Sequence, residues 1–416
     1  MNNKIAALKY FDPVKGGTLT QADLDAYANE IRNVCEVFPK EVDKLKDVLT
    51  RKYTKVYAIG IGDSLYSADS TKLDFWEKSG IQVEVLESQE FNHYYLDYMP
   101  KDSLVLICSG GGSAARTVES SYLAQQKGAT VVAVTLSPTS RLSAACKHVL
   151  FHTTRKESFI DGSRNYMSLT LLIKLIGIKM GLWNGTLPAA REKEILDQIV
   201  KDCHNGFKTC MTNEPLLKEL MLKARNHDKF YFLGAGPSLA LTQYAAAKFM
   251  EQAATDGIWQ QLEEYGHEQY WVHNRHGKED FVFSICPAGK NVQRCVENME
   301  EQNFLKLNTV LLTTSPVDAK FTGKAKFIIT TDEPIAENDF WMVAGNIFAR
   351  MANFYTENIG LAGKVFGSEE QVAEHYTTIH YSRFLPEVSQ YDIPIPDNQT
   401  INERGAYGLN FKEGKK

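Results

Sequence analysis

The chain has 416 residues, enough for two domains of about 150–200 residues each. Hydrophobic residues make up 44% and charged residues 23%, which excludes a disordered or collagen-like chain. With 46 Lys+Arg against 51 Asp+Glu, a net charge of -5 and no basic block, nucleic acid is not an expected partner. The start, Met1 to Gly17, has no apolar run before it turns polar, so no secretory signal is expected. Thr20 precedes QADLDAYANEIRNV as an N-cap candidate, and Thr20–Lys52 reads as two amphipathic helices broken at Pro39. Residues 1–49 are therefore a helical N-terminal extension.

Next comes an internal duplication. VYAIGIGDS (56–64) and FYFLGAGPS (230–238) are each an apolar β-rich run leading into Gly-x-Gly-x-Ser. SLVLICSGGGS (103–113) pairs with FVFSICPAGKN (281–291), and VVAVTLSP (131–138) with TVLLTTSP (309–316). The three matches fall in the same order at offsets of 174, 178 and 178 residues. Each half reads strand, Gly loop, helix, strand, loop, helix, strand. Apolar strands alternating with helical patterns predict an α/β fold, a parallel sheet covered on both faces in each half. The halves are placed at 50–185 and 226–362. Residues 186–225 read as a helical connector, and 363–416 as a tail, first helical and then Pro-rich. Helices are expected over 66–79 and 114–127 in the first half, and over 239–255 and 291–303 in the second.

The apolar stretch Ser168–Trp183 is interrupted by Lys174 and Lys179 and is too short and charged to span a membrane. The seven cysteines include no CxxC, and the closest pair, Cys203 and Cys210, has no second pair to complete a zinc site. Free thiols in a reducing cytoplasm are the expectation.

A Gly-x-Gly turn between strand and helix lets backbone N–H groups and a helix N-terminus meet an anion. Neither GIGDSL nor GAGPSL supplies the third glycine of a dinucleotide fingerprint, so a nucleotide-dependent oxidoreductase is not favoured. The second loop of the first half, Cys108 to Ser113, follows a neighbouring strand and faces the same crevice. The hydroxyls of Ser64, Ser109 and Ser113, with free N–H groups, suit a phosphate or a similar anion.

This duplicated pattern resembles the sugar isomerase (SIS) domain family, in the tandem arrangement of glucosamine-6-phosphate synthase isomerase domains, fructosamine-type deglycases and ketose/aldose isomerases. GIGDS resembles the family's first strand and loop, SGGGSAART its hydroxyl-rich anion loop, and Gly128-Ala129-Thr130 its entry to the next strand. ESFIDGSR (157–164), with Ser163, stands at the family's loop into a later helix. The resemblance covers about residues 50–362 and implies two flavodoxin-like sheets in tandem. The family's hydroxyls fall here on Gly111 and Ala114, and Ser113 takes its acidic position. Arg116, two residues beyond Ala114, is a candidate cation for the substrate's anion, and a sulfonate is admissible beside phosphate.

The resemblance also implies an acid–base pair. Glu251 lies on the first helix of the second half, with Lys248, a candidate substrate contact, one turn before it, and His267 follows sixteen residues later. Tyr244 replaces a family acidic residue, and Glu268-Gln269 the usual Gly-Pro. Moving a proton between C1 and C2 of a sugar needs a carboxylate that can return what it took. Opening the sugar ring suits a histidine. No metal or cofactor is needed for that chemistry. His273 and His276, and His375 and His380, are expected to be structural or surface residues.

The expected activity is isomerisation of an anionic sugar, or deglycase or deaminase cleavage of an amino-sugar or Amadori phosphate. The same base serves both. A sugar-phosphate-sensing regulator is the third reading. The chain begins Met1-Asn2-Asn3 with no leading-cysteine glutaminase, so glutamine-dependent amination is not expected. A dimer in which His267 reaches the neighbouring subunit's site is implied by the resemblance.

Overall fold

The computed structural model describes residues 17–361, together with Ile379. The expected tail helix, with His375 and His380, and the terminal lysines lie outside the described residues.

Helix α1 (Gln21–Asp43) begins at a capping box. The Thr20 hydroxyl accepts from the Asp23 amide at 3.3 Å, and the Asp23 carboxylate accepts from the Thr20 amide at 2.8 Å. Leu24, Tyr27, Ile31, Val34 and Phe38 recur at helical spacing and are all buried. The expected break at Pro39 is corrected: α1 runs through it to Asp43. Proline removes one backbone donor, but Phe38, Pro39 and Val42 are buried, and that packing holds the last turn. The chain turns at Leu45 instead, into a short helix, Lys46–Leu49.

The first sheet holds β1 (Val56–Gly60), β2 (Val83–Glu87), β3 (Leu104–Ser109), β4 (Thr130–Thr135) and β5 (His148–Phe151). All neighbours pair in parallel, in the order β2-β1-β3-β4-β5. β1 and β3 are buried along their whole length, which is why they read as continuous apolar runs. Helices α2 (Asp63–Ser79) and α3 (Ala115–Gln126) follow β1 and β3, and α4 (Arg164–Asn184) follows the sheet. α5 (Glu192–Lys223) lies between the two sheets along the chain.

The second sheet repeats the plan. Its strands are β6 (Lys229–Gly234), β7 (Asp256–Gln261), β8 (Phe281–Ile285), β9 (Asn308–Thr313) and β10 (Phe327–Thr330). They are ordered β10-β9-β8-β6-β7, the same sequence of neighbours with β6 in the place of β1. Helices α6 (Pro237–Ala253), α7 (Leu262–His267), α8 (Val292–Phe304) and α9 (Trp341–Asn358) complete it. The duplication extends to backbone angles. Gly62 caps α2 at φ 54, ψ -130, and Gly236 caps α6 at φ 58, ψ -131. These angles turn strand into helix within one residue, so α2 starts three residues earlier than expected. Asp63 and Ser64 therefore lie on its first turn rather than in a loop.

α4 has the length and composition of a membrane span, yet 89% of its most apolar stretch is buried inside the protein. Its lysines explain the placement. The Lys174 ammonium is buried at 2.7 Å from Asp74 on α2 and 2.8 Å from Asp339 ahead of α9. Burial works against its charge, but Asp339 and Asp74 more than offset this and raise its pKa. Lys179 pairs with Asp43 and Glu192, both at 2.8 Å.

Removing one partner of such a buried pair strands the others without water. Lys174→Met is expected to lower unfolding stability by about 3–5 kcal/mol. Urea titration near neutral pH measures it. A loss below about 1 kcal/mol, the range of a solvated surface pair, would mean that the aspartates are already neutral or wet.

Candidate active site

The order β2-β1-β3-β4-β5 reverses direction between β1 and β3, and ligands of such sheets bind beyond the strand C-termini at that point. Two helices start there. The N-caps of α2 and α3 are Gly62 and Ala114, and neither makes a side-chain cap. Two helix N-termini with donors uncapped by side chains beside one another favour a negative group.

The loop between β3 and α3 is rigid. The Gly110 amide donates to Ser64 Oγ at 3.4 Å, which ties the loop to α2. The Gly112 amide donates to Ser109 Oγ at 3.1 Å. Ser64, Ser109 and Ser113 are buried, while Gly111 is exposed at the tip. Gly112 sits at φ 67, and a Cβ there would run into the Ser140 hydroxyl. The Arg141 guanidinium, itself buried, donates to the Ser113 carbonyl from behind the loop. Arg116, on the first turn of α3, lies 2.8 Å from the wholly buried Glu119 carboxylate. The Asn92 amide donates to Glu119 at 2.9 Å and to the Arg116 carbonyl at 3.1 Å. Arg116 is thus a guanidinium held in place by a buried carboxylate and not a mobile surface cation.

Ser163 is wholly buried and its hydroxyl donates to the Ile160 carbonyl at 2.8 Å. That bond helps close the turn into α4.

The two units meet at a shared lysine. The Lys248 ammonium on α6 lies 3.0 Å from the Asp63 carboxylate on α2 and 2.7 Å from Glu251 one turn along its own helix. Lys248 is 3% exposed. Its ammonium also lies 5.3 Å from the centre of the Tyr244 ring, which stacks on Tyr166 at 3.9 Å. Burial pushes the Asp63 carboxyl up to about 6, with Lys248 opposing and Glu251 adding to the rise. Burial works against the Lys248 charge as well, but Asp63 and Glu251 outweigh it and keep it protonated.

This contact fixes where Glu251 lies. α6 runs from the C-terminal edge of the second sheet, so its last turn is far from its own crevice. The bond to Asp63, beside Ser64, brings that turn to the crevice of the first sheet. Gln252 packs against Gly162 in the turn before α4. Glu251 itself is 56% exposed and can be reached from solvent. The contacts run from Ser109 and the Gly110–Gly112 loop to Ser64 on α2, and from the adjacent Asp63 through Lys248 to the last turn of α6.

His267 ends α7, and its side chain is 68% exposed, with Nε2 3.4 Å from Glu263 on the same helix. The contacts of Glu251 run to Lys248 and those of His267 to Glu263, so the pair is not joined within one chain. His273 is buried against Tyr265 and Tyr231, with Nδ1 3.1 Å from the Tyr265 hydroxyl. Burial lowers its pKa to about 4, a neutral core residue.

The second crevice, between β6 and β8, is built differently. Asn291 Nδ2 is 3.4 Å from both the Ala235 carbonyl and Glu337 Oε1. The Glu337 carboxylate also packs against Gly289 in the matching loop. A carboxylate stands beside this loop, whereas two amides of the matching loop are held by the Ser64 and Ser109 hydroxyls.

Asp63, Glu119 and Arg141 went unread in the sequence. Asp63 lies inside the GIGDS turn, but nothing local identifies a carboxylate whose partner is 185 residues away.

The SIS domain family model matches residues 49–175. Glutamine–fructose-6-phosphate aminotransferase [isomerizing] of Pyrococcus horikoshii is 26% identical over 272 residues, 63% of this chain and 42% of that protein. The Thermotoga maritima enzyme of the same name is 24% identical over 231 residues, covering 56% of this chain and 37% of its own length. The matches therefore span about two fifths of those relatives. Among solved structures, the C-terminal domain of glucosamine-fructose-6-phosphate aminotransferase from Francisella tularensis superposes with a TM-score of 0.68 at 12% identity, covering 82% of this chain and 94% of that one. Glucosamine-6-phosphate deaminase from Thermotoga maritima gives 0.56 at 17% identity, over 82% and 96%. These superpositions establish the tandem fold.

The anion loop tests its own geometry. Gly112→Ala forces a left-handed alanine onto Ser140, and should lower unfolding stability by about 2 kcal/mol or more. Denaturant titration beside Gly111→Ala at the exposed tip provides the comparison. Equal stability of the two variants would refute the tight packing.

Proposed function

We propose that this SIS-domain protein interconverts the aldose and ketose forms of an anionic sugar by proton transfer through an enediol. The observation that carries the reading is the bond from Lys248 to both Asp63 and Glu251. It sets an exposed carboxylate beside an anion-binding loop contributed by the other unit. The names of the curated relatives, which include fructose 6-phosphate and isomerisation, support a hexose 6-phosphate, and a 6-sulfonate is the alternative anion.

In this reading the α2 and α3 N-termini, the Gly111 backbone and the hydroxyls of Ser64, Ser109 and Ser113 hold the charged end. Arg116, oriented by Glu119, adds a forked cation suited to phosphate or sulfonate oxygens. The sugar then extends toward α6. Glu251 removes the proton from C2 of the open aldose and returns it to C1, giving the ketose. The proton between the C1 and C2 oxygens moves in the same direction, so no atom is lost. His267 opens the ring by exchanging a proton with the ring oxygen and the anomeric hydroxyl. Its exposure, and its separation from the contacts of Glu251, favour a site shared between two copies of the chain. Seven free cysteines, all buried, accord with a cytoplasmic enzyme.

Cleavage of an amino-sugar or Amadori phosphate would use the same enolising carboxylate. A panel of hexose 6-phosphates, amino-sugar phosphates, Amadori phosphates and 6-sulfo sugars, read by mass spectrometry, separates the two. Isomerisation leaves the mass unchanged and shifts the chromatographic position, whereas cleavage releases ammonia or an amine. On the converted sugar, Glu251→Gln is expected to reduce kcat by about 10²–10⁴-fold. Near wild-type kcat with proton transfer rate-limiting would remove Glu251 from the role of base.

The shared site has its own test. Inactive Glu251→Gln and His267→Asn proteins, mixed under conditions that exchange subunits, should recover activity through hybrid sites. Verified exchange without recovered activity would place both residues in one chain.

A further inference from the structure

We propose that the N-terminal edge of the second sheet carries a binding site for a small polyphosphate anion, apart from the crevice at the strand C-termini. A cavity of about 420 Å³ opens there, lined by Lys223, Lys278, Lys306 and Lys326. Its size is that of a small-molecule site. Glu279 is the one carboxylate among the described lining residues, so positive charge is concentrated here in a chain whose net charge is -5. Among the described residues, Lys278, Lys306 and Lys326 have no ion pair with a carboxylate. Lys223, the last residue of α5, pairs with Glu219 at 2.7 Å one turn back.

The duplication singles out one of these lysines. Helix α8 ends in two backbone bonds, from the Leu307 amide to the Gln302 carbonyl and from the Lys306 amide to the Asn303 carbonyl, both 3.0 Å. Helix α3 ends in the same pair, from Ala129 to Ala124 and from Gly128 to Gln125, both 3.0 Å. In such a turn the residue after the helix is left-handed, a conformation that glycine adopts without steric cost. The first half has Gly128 there at φ 95, and the second, at the 178-residue offset of the neighbouring motifs, has Lys306 at φ 65. A side chain is strained in that conformation, so the fold alone favours glycine. Glu279, on the same rim, stands at φ 70. Two of the three described non-glycine residues with positive φ therefore line this one cavity. Strained positions of this kind gather at ligand clamps.

Neighbouring groups hold the lysines in place. The Asn308 side-chain amide donates to the Glu279 carbonyl, which fixes the left-handed turn, and its oxygen accepts from the Lys326 ammonium at 3.4 Å. The Lys223 ammonium lies 4.9 Å from the centre of the Phe327 ring. His227 packs edge-on against Phe281 at 5.2 Å and gives the cavity an apolar wall, with its Nδ1 3.9 Å from Asp280. The charge balance selects the ligand. With Lys223 balanced by Glu219, three ammonium groups still face one carboxylate. A singly charged anion does not cancel that surplus. A polyphosphate does, and its separate phosphate groups present oxygens to different lysines at once. A cavity of this size takes a compact molecule rather than a nucleic-acid strand, and the acidic chain repels an extended polyanion.

Inorganic pyrophosphate is the probe, and sugar turnover is not needed to read it. In full-length protein labelled with ¹⁵N-lysine, the Lys306 amide resonance is assigned by its loss in Lys306→Gly and reports the cavity itself. Titrated at constant ionic strength, it should shift with pyrophosphate at an affinity about tenfold or more above that for inorganic phosphate, which reaches only part of the lysine set. No shift, or equal affinity for the two anions, overturns the proposal. So does calorimetric binding of pyrophosphate that leaves this resonance unmoved, which would place the ion in the crevice of the first sheet. Lys326→Gln should weaken pyrophosphate at the Lys306 amide by about tenfold, while Arg116→Ala in the crevice should leave it unchanged. The reverse pattern overturns the proposal. Lys306→Gly restores the glycine of the first half, so its melting temperature should equal or exceed that of wild type. A lower melting temperature would mean that the lysine serves the fold and would overturn the proposal. Tighter binding of a single-stranded oligonucleotide than of pyrophosphate would replace the small ligand with a nucleic-acid surface and overturn it as well.

Discussion

The arrangement depends on one buried ammonium. Lys248 cannot stay charged inside the protein without anionic partners, and it finds them on two different structural units. That requirement fixes the contact of α6 with α2, and with it the position of the last turn of α6 against the first sheet. Stacking of Tyr166 on Tyr244 and the packing of Gln252 on Gly162 follow the same line of contact. Lys174 performs a parallel task farther along α2, joining Asp74 to Asp339. Two buried lysines thus set the two halves in register, where apolar packing alone would tolerate sliding.

The halves share a backbone plan and differ in charge. Both place a glycine of nearly identical angles at the strand–helix turn. In the first half the neighbouring loop is three glycines flanked by serines, and the helix ends are left without side-chain caps. In the second, Pro287 and Lys290 stand where the first has Ser109 and Gly112, and Glu337 lies over the loop. A carboxylate there repels an anion and occupies the space of one. The second unit contributes the end of its first helix to the crevice of its neighbour. Duplication supplied two crevices, and sequence change placed a carboxylate over the loop of one of them.

Much of this was legible in the sequence because it is local. Parallel strands buried on both faces read as apolar runs, and the three paired motifs repeat at almost one spacing. Glycines at the turns marked the loops, and Ser64, Ser109 and Ser113 followed from them. Pro39 was misread because propensity counts the missing donor and not the burial of Phe38 and Val42. Asp63, Glu119 and Arg141 are charges whose meaning lies in distant or concealed partners. A lone aspartate in a glycine turn looks like a solvated cap until Lys248 arrives from the other half of the chain.

The same aspartate poses an electrostatic problem that the lysine resolves. Asp63 stands on the first turn of α2, where the helix dipole favours a negative charge. An anion bound at that N-terminus would meet a carboxylate already there. The Lys248 ammonium neutralises the Asp63 carboxylate at 3.0 Å. The N–H donors of the turn then remain for the anion, and Glu251 stays on the solvent side of the lysine. In the proposed reading, anion binding and proton transfer lie on either side of a single buried cation. Neither function could tolerate an unpaired carboxylate at that point.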